Sequence, residues 1–193
     1  MIVFSVNVRF GGRNVARRAV SIITELRSDA SFGSALLFVQ ECSPASMRAI
    51  SKMLRDTHVG IARPGYEGVI GIFVATFVPM GLRAQVTSAA TPLTRMGRDY
   101  HAVRMRDGIL YNVHLDSCSD SAATRAGQLA AIASGSAGSF AILGDLNGTE
   151  TYDARGVDVA VRTIRMHPAW TDHSARAYSL RLSKKKVAPR LTK

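Results

Sequence analysis

Polar residues able to bind a metal ion or move a proton follow short apolar runs at several places in this chain. The clearest run covers residues 141–143 and ends in Gly144, Asp145 and Asn147. The same arrangement recurs elsewhere and contributes Asn7 and Arg9, Glu41, and His114, while the adjacent pair Asp172 and His173 precedes another alternating run at residues 175–182. A buried strand delivers the side chains at its tip to the edge of a sheet, so we expect this set to converge on one site.

The residue types in this set indicate which chemistry the site could perform. Carboxylate and amide oxygens are the hard ligands that Mg²⁺ and Mn²⁺ prefer, and histidine exchanges protons near neutral pH. Cys42 and Cys118 have neither the spacing of a zinc site nor the number needed for a disulfide framework. Two reduced thiols are the favoured interpretation, with a regulatory bridge between them as the alternative. We therefore expect an oxygen-ligated divalent cation.

The charge of the chain indicates a polyanionic partner. Its formal net charge is +11, from 25 basic and 14 acidic residues, and 20 of the basic residues are arginine. Arginine pairs with phosphate through two parallel hydrogen bonds, whereas a GC-rich genome is the alternative source of the arginine excess. Several of the few carboxylates fall in motifs, namely Glu41, Asp145, Asp158 and Asp172. Binding of a divalent cation would explain carboxylates at those places.

Length and hydrophobicity are typical of one globular domain. The chain has 193 residues, of which 47% are hydrophobic, and this suffices for a sizeable core. No apolar run reaches the roughly 18 residues that span a bilayer, and the N-terminus lacks the pattern of a secretory signal. We therefore expect a cytoplasmic protein that does not bind membranes, with a monomer as the default state. Residues 184–193 form a basic run that we expect to be disordered.

The order of predicted elements alternates between strands and helices. Apolar spacing predicts a helix that includes residues 15–26, a second opened by Ser43 and Pro44, and a third over residues 121–133. Strands are predicted over residues 35–40, 69–78, 82–86, 139–144, 157–161 and 175–182. The pair Asp107 and Gly108 predicts a hairpin between strands at residues 101–106 and 109–115. Periodicity alone indicates an α/β or α+β fold.

The motifs, in their order along the chain, resemble the endonuclease/exonuclease/phosphatase superfamily, and within it the deoxyribonucleases of the pancreatic type. The resemblance covers nearly the whole chain and departs from the family mainly in the short interval between Asn147 and Asp172. The matching segments are residues 3–9, 39–41, 113–115, 144–147, 156–160 and 171–173. This resemblance implies a single nuclease-like catalytic domain over residues 1–183. It also implies a four-layered α/β sandwich, with two packed, mainly antiparallel sheets flanked by helices.

The resemblance also implies roles for individual residues. Glu41 and Asp172 would lie at the metal, which would be Mg²⁺ or Mn²⁺, and Asp145 would orient the attacking water. Asn7 and Asn147 would hold a phosphate oxygen or a metal-bound water, and Arg9 would grip phosphate. His173 would be the general base or a transition-state-stabilising imidazolium, and Asp158 would orient it. His114 would be the second acid/base group, with Glu67 as its possible carboxylate partner.

The function expected from these features is a divalent-metal-dependent phosphodiesterase, foremost a DNA endonuclease that nicks with little sequence preference. One alternative is hydrolysis of a small-molecule or lipid phosphoester, because a fold does not settle the substrate. Another is a non-catalytic, nucleic-acid-binding remnant of the fold, which the short interval after Asn147 motivates. DNA is the expected partner because attraction to the phosphate backbone supplies most non-specific affinity.

Overall fold

Two β-sheets pack face to face in the computed structural model, which describes residues 1–9, 14–68, 71–117, 122–147, 154–164, 166 and 175–182. The strands are β1 (Ile2–Asn7), β2 (Leu36–Cys42), β3 (His58–Ile61), β4 (Phe73–Pro79), β5 (Gln85–Ala90), β6 (Asp99–Met105), β7 (Gly108–His114), β8 (Phe140–Asp145), β9 (Ala154–Arg155), β10 (Val157–Ile164) and β11 (Ala175–Leu182). The helices are α1 (Val15–Leu26), α2 (Pro44–Leu54) and α3 (Ala122–Ser134), with 3-10 turns at Phe32–Ser34 and Tyr66–Gly68.

Each sheet is mainly antiparallel and contains one parallel pair. The first sheet has the strand order β10-β11-β1-β2-β4-β3, and the second has the order β5-β6-β7-β8-β9. The parallel pairs are β1 with β2 and β7 with β8. Each pair is joined through a helix, α1 in the first sheet and α3 in the second, as parallel neighbours require.

Three hydrophobic clusters separate the layers of the molecule. One cluster lies between α1, α2 and the outer face of the first sheet, and another lies between α3 and the outer face of the second sheet. The third fills the space between the sheets, where Val3, Phe38, Leu110 and Leu143 meet. This order of layers, helix, sheet, sheet, helix, confirms the four-layered α/β sandwich that the family resemblance implied.

Local signals explain where several elements begin and turn. The hydroxyl of Ser43 accepts a hydrogen bond from the backbone N–H of Ser46 at 3.1 Å, and Pro44 occupies the first turn of α2. The predicted hairpin is present, with Met105 opposite Gly108 in the β6–β7 register. Its two turn residues are Arg106 and Asp107, one position earlier than the sequence predicted. None of the three helices in the described part of the chain is both long and apolar enough to cross a membrane.

The two parallel pairs face each other across the interior. On β1 the residues at positions 3, 5 and 7 point between the sheets, and on β8 the residues at positions 141, 143 and 145 do so, because side chains alternate along a strand. The carboxyl ends of these strands therefore meet at one end of the sandwich. In α/β sheets this is the edge at which ligands bind.

Gly144 is required for the close approach of β8 to β7. Its φ is +132°, and a Cβ at this position would lie 2.1 Å from the carbonyl oxygen of Val113. No side chain fits there without moving the backbone of β7. The next residue in the register pairs His114 with Asp145. Gly144 thus sets the spacing of two site residues.

We expect Gly144→Ala to destabilise the protein by on the order of 2–4 kcal/mol, because the new Cβ overlaps backbone atoms and the φ is unfavourable for alanine. The measurement is the free energy of unfolding in urea. Gly33→Ala is the matched control, since nothing lies within 4 Å of its added Cβ. Equal unfolding midpoints for the two variants would contradict this account of Gly144.

Candidate active site

The side-chain amide of Asn7 links two carboxylates that come from different sheets. Its Nδ2 donates to Asp145 Oδ2 at 2.8 Å and to Glu41 Oε1 at 3.0 Å. Asn7 is 3% exposed, and the two carboxylate side chains are 9% and 19% exposed for Asp145 and Glu41. The tips of β1, β2 and β8 therefore place two nearly buried acidic groups around one neutral donor.

A β-bulge directs Glu41 into this cluster. The register of β2 against β4 shifts by one residue between Val39 and Cys42, and Glu41 has a φ of +53°. By strict alternation Glu41 would share the outward face of Leu37 and Val39, but the bulge gives that place to the buried Cys42. A left-handed backbone at a non-glycine residue carries a conformational cost that clusters at functional sites.

The turn after β8 fixes the orientation of Asp145. The backbone N–H of Asn147 donates to Asp145 Oδ1 at 3.0 Å, while Asn147 Nδ2 donates to the carbonyl of Leu115 at 2.6 Å. Asn147 also has a left-handed φ of +49°. Both oxygens of Asp145 therefore accept hydrogen bonds, one from each side. This leaves the carboxylate little freedom to rotate.

His114 brings an imidazole to the same cluster. Its side chain is 4% exposed, and Nε2 lies 3.8 Å from Asp145 Oδ2 and 4.0 Å from Glu41 Oε1. The other ring nitrogen, Nδ1, lies 3.1 Å from a terminal guanidinium nitrogen of Arg98. Arg98 precedes β6 and is 9% exposed. No sequence pattern pointed to Arg98, because nothing in its spacing separates it from the other arginines.

Glu67 was the residue expected beside His114, but in the structure Arg98 contacts Nδ1 of His114. Glu67 lies exposed on the turn Tyr66–Gly68. Its carboxylate faces Tyr66, whose pKa is raised by burial and then by this neighbouring charge. We therefore do not include Glu67 in the site.

Asp158 is the second residue that the structure keeps away from the cluster. It is exposed on β10 and pairs with Arg181, near the end of β11. Asn7 lies at the other end of the sheet, because β1 runs antiparallel to β11 and Ile2 already pairs with Ser179. Several residues of strand, at about 3.3 Å each, separate Asp158 from the site. The motif at residues 156–160, which suggested a catalytic Asp158, forms part of the edge strand β10.

The remaining expected residues divide into one that is described and two that are not. Arg9 is exposed just past β1, with a φ of +52°, and its N–H donates to Asn7 Oδ1 at 2.8 Å. Its backbone thus holds the amide of Asn7 in place. Asp172 and His173 lie outside the described residues.

A buried polar network lies directly beneath the cluster and was missed in the sequence. Gln40 Nε2 donates to Asn112 Oδ1 at 2.8 Å, and Asn112 Nδ2 donates to Thr76 Oγ1 at 3.2 Å. The Thr76 hydroxyl is 3.0 Å from Nδ1 of the fully buried His101. The signal was available, since these polar residues interrupt otherwise apolar strands. The network ties β2, β4, β6 and β7 together across the interior.

The loop that carries Arg98 is fastened to the end of β7 by Asp116. Its Oδ1 accepts from the hydroxyl of Thr94 at 2.7 Å, and its Oδ2 accepts from the N–H of Arg95 at 2.8 Å. Burial alone would raise the pKa of Asp116, but these hydrogen bonds lower it overall. Asp116 is therefore held as a carboxylate, and it keeps residues 94–98 next to His114.

The donor atoms of the cluster fit a hard divalent cation. Glu41 and Asp145 offer carboxylate oxygens, and Asn147 lies next to them at the same edge. Among the described residues no group of three or more histidine, cysteine, aspartate or glutamate side chains is arranged to hold a metal ion. Mg²⁺ commonly binds one or two carboxylates and keeps several waters, so the described oxygens suffice for it.

Known structures share this architecture. No protein-family model and no curated protein sequence matches the chain. A humanized D. rerio TDP2 aligns with a TM-score of 0.70 and 15% identity, covering 94% of this chain and 98% of that one. D. rerio TDP2 complexed with single strand DNA product aligns with a TM-score of 0.63 and 17% identity over 97% and 86% of the two chains. An endonuclease/exonuclease/phosphatase from Bacteroides vulgatus aligns with a TM-score of 0.67 and 12% identity over 94% and 98%.

The chain shares the fold of these solved structures, one of which is named as an endonuclease/exonuclease/phosphatase. At these identities the likeness concerns the fold, and it extends over more than nine-tenths of this chain. Within this fold, Asn7, Glu41, His114 and Asp145 meet where the two sheets join. These side chains therefore determine which chemistry the site can perform.

The buried His101 makes the stability of this fold depend on pH. Burial lowers its pKa from 6.5 to about 4. The unfolded chain then binds the proton more readily, so the stabilisation is complete above pH 6.5 and is lost as the pH falls toward 4. At about 1.4 kcal/mol per pKa unit, the loss is on the order of 3 kcal/mol.

We expect His101→Gln to flatten this dependence, as measured by urea unfolding at a series of pH values. Burial lowers the pKa of His58 as well, and this effect remains in both proteins, so the difference between their curves isolates His101. Parallel curves for the wild type and the variant would show that His101 does not titrate in this window.

Proposed function

We propose that the protein is a divalent-metal-dependent phosphodiesterase, and specifically a DNA endonuclease that nicks with low sequence specificity. The observation that carries this proposal is the pair of carboxylates, Glu41 and Asp145, bridged by the amide of Asn7 with His114 Nε2 within 4.0 Å of both. Oxygen ligands, a neutral hydrogen-bond donor and an imidazole are the groups that phosphodiester hydrolysis needs.

Glu41 and Asp172 are the residues we assign to the cation, which would be Mg²⁺ or Mn²⁺. When bound, the cation would neutralise charge on the phosphate and on the departing oxygen. The carboxylate of Glu41 is favoured for this role because it is the more exposed of the two described acids and reaches the site from a bulge. Asp172 is assigned from its motif.

Asp145 is assigned to orient the attacking water. Its two oxygens are held by Asn147 N–H and Asn7 Nδ2, so the lone pairs that remain have a fixed direction. A fixed acceptor close to the phosphorus aligns the water for attack, and such alignment removes part of the entropic barrier. Asn7 and Asn147 carry no charge and so add no repulsion toward a phosphate.

The two histidines divide the proton transfers in this proposal. His173 is assigned as the general base or as a transition-state-stabilising imidazolium, by its motif. His114 is the second acid/base group, supported by its buried position beside Asp145 and Glu41. A neighbouring imidazole N–H can donate to a phosphate oxygen as negative charge develops there.

Nucleic acid is the substrate class we favour. The net charge of +11 attracts the phosphate backbone, and Arg9 is exposed at the rim of the cluster. D. rerio TDP2, which has a similar fold, has a crystal structure in complex with a single strand DNA product. A backbone-directed contact positions the substrate without reading its bases, so we infer low sequence selectivity.

We expect the purified protein to nick supercoiled plasmid with Mg²⁺ or Mn²⁺ and to lose this activity in EDTA. The reason is that the described candidate ligands are carboxylate and amide oxygens, which suit a hard divalent cation. The measurement is conversion of supercoiled to open-circular DNA on a gel. Undiminished nicking in EDTA would contradict the metal assignment.

A parallel assay with a soluble phosphomonoester and a short phosphodiester distinguishes the alternatives. Turnover of the small ester without nicking would favour the small-molecule or lipid phosphoesterase. Plasmid binding with no turnover of any substrate would favour the non-catalytic remnant.

We expect Asp145→Asn to lower the nicking rate by on the order of 10²–10⁴-fold while DNA affinity stays nearly unchanged, because a positioned catalytic group is lost and the arginines remain. Asp158→Asn is the matched control, because this substitution also removes one carboxylate. Asp158 is exposed and lies at the end of the first sheet opposite to Asn7. Initial nicking rates and gel-shift affinities are the readouts. Similar rates for the two variants would remove Asp145 from the mechanism.

A further inference from the structure

Arg98 occupies the place beside His114 where a carboxylate was expected. A carboxylate would accept a hydrogen bond from His114 Nδ1, whereas a guanidinium donates one to it. A guanidinium has five N–H donors and no acceptor, and it stays protonated in proteins. The 3.1 Å contact between Arg98 and His114 Nδ1 can therefore be a hydrogen bond only if Nδ1 is the acceptor. The proton of a neutral His114 must then reside on Nε2.

We propose that Arg98 is a positioning residue that fixes His114 in the tautomer with its N–H on Nε2. That N–H faces Asp145 Oδ2 at 3.8 Å and Glu41 Oε1 at 4.0 Å, at the center of the cluster. His114 thereby presents a donor, and not a base, to the place where the phosphate would sit. The inference rests on the proposed function for its catalytic meaning, whereas the tautomer itself follows from the contact.

Several observations favour an indirect role for Arg98. The residue is 9% exposed, so little of it reaches solvent or a polyanion. Its backbone N–H donates to Thr94 Oγ1 at 3.1 Å, and Thr94 in turn donates to the buried Asp116. Asp116 follows His114 by two residues, so the end of β7 holds both the histidine and the loop that orients it. The guanidinium of Arg98 contacts the ring nitrogen of His114 at 3.1 Å and, more weakly, the sulfur of Met96 at 4.0 Å, so His114 Nδ1 is its stronger partner.

A carboxylate beside a histidine and a guanidinium beside a histidine have opposite effects on proton placement. A carboxylate accepts the Nδ1 proton and leaves a lone pair on Nε2, which suits a general base. A guanidinium donates to Nδ1 and leaves a proton on Nε2, which suits stabilisation of developing negative charge. The residue at this one position therefore selects which of the two histidine roles the site uses.

The test is ¹⁵N NMR of histidine-labelled protein at one fixed pH, without nucleic acid or metal. We expect His114 in the wild type to show a protonated Nε2 and an unprotonated Nδ1. Arg98→Met should shift the population toward the other tautomer, and Arg98→Lys, which keeps a donor, should restore part of it. Arg95→Met is the matched control, because it removes the same charge from the exposed side of the same loop.

Kinetics provide the second readout. Arg98→Met should lower kcat by on the order of 10–100-fold with little change in KM, as expected for loss of an orienting partner. Arg95→Met should leave kcat near the wild-type value. A rise in KM with unchanged kcat for Arg98→Met would mean that Arg98 grips the substrate phosphate directly, and this would overturn the proposal.

The two readouts separate failure of this inference from failure of the proposed function. If the wild type hydrolyses no phosphoester but shows the Nε2–H tautomer, the positioning by Arg98 stands and the function is wrong. If the enzyme is active but wild-type His114 carries its proton on Nδ1, the inference is wrong. Should Arg98→Met fail to fold, Arg98→Leu, which also lacks a donor, gives the comparison, and the wild-type spectrum alone still decides the tautomer.

Discussion

The site depends on one amide that crosses between the sheets. Asn7 belongs to the first sheet and donates both to Asp145, which is in the second sheet, and to Glu41, which is in the first. Two carboxylates that bind the same amide nitrogen lie close enough to repel each other. The shared donor offsets part of that repulsion, and the N–H of Arg9 fixes the orientation of the amide. Everything that sets the packing of the sheets, from the apolar cluster between them to the Gln40–Asn112 bond, therefore also sets the geometry of the cluster.

Much of this arrangement could be predicted from the sequence because its signals are local. An apolar run ending in Asn7, Glu41, His114 or Asp145 is visible in a few residues, and parallel strands bring such ends together. The signals failed where pairing partners decide the structure. The short strand His58–Ile61 was missed, and the strand predicted at residues 82–86 runs from Gln85 to Ala90, because β5 pairs along the whole of β6.

Two of the predicted site residues show why chemistry cannot be assigned from residue type alone. Glu67 and Asp158 are acidic residues beside apolar runs, yet one lies on an exposed turn and the other on an edge strand far from Asn7. The position beside His114 is filled by Arg98, and the contacts that bring it there run through Thr94 to Asp116, which is 22 residues from Thr94 along the chain. Such tertiary contacts leave no spacing pattern in one sequence.

The distribution of charge connects the site to its proposed substrate. A surface with net charge +11 attracts a polyanion and also lowers the cost of holding two carboxylates together, since both act through the same positive field. The substrate phosphate would then reach a locally acidic spot on a basic surface. A divalent cation on Glu41 would neutralise part of this acidic charge and so favour the approach of the phosphate. In the proposed mechanism a neutral His114 held by Arg98 would help in this respect, because it would offer the phosphate a hydrogen bond at the place where the carboxylates would otherwise repel it.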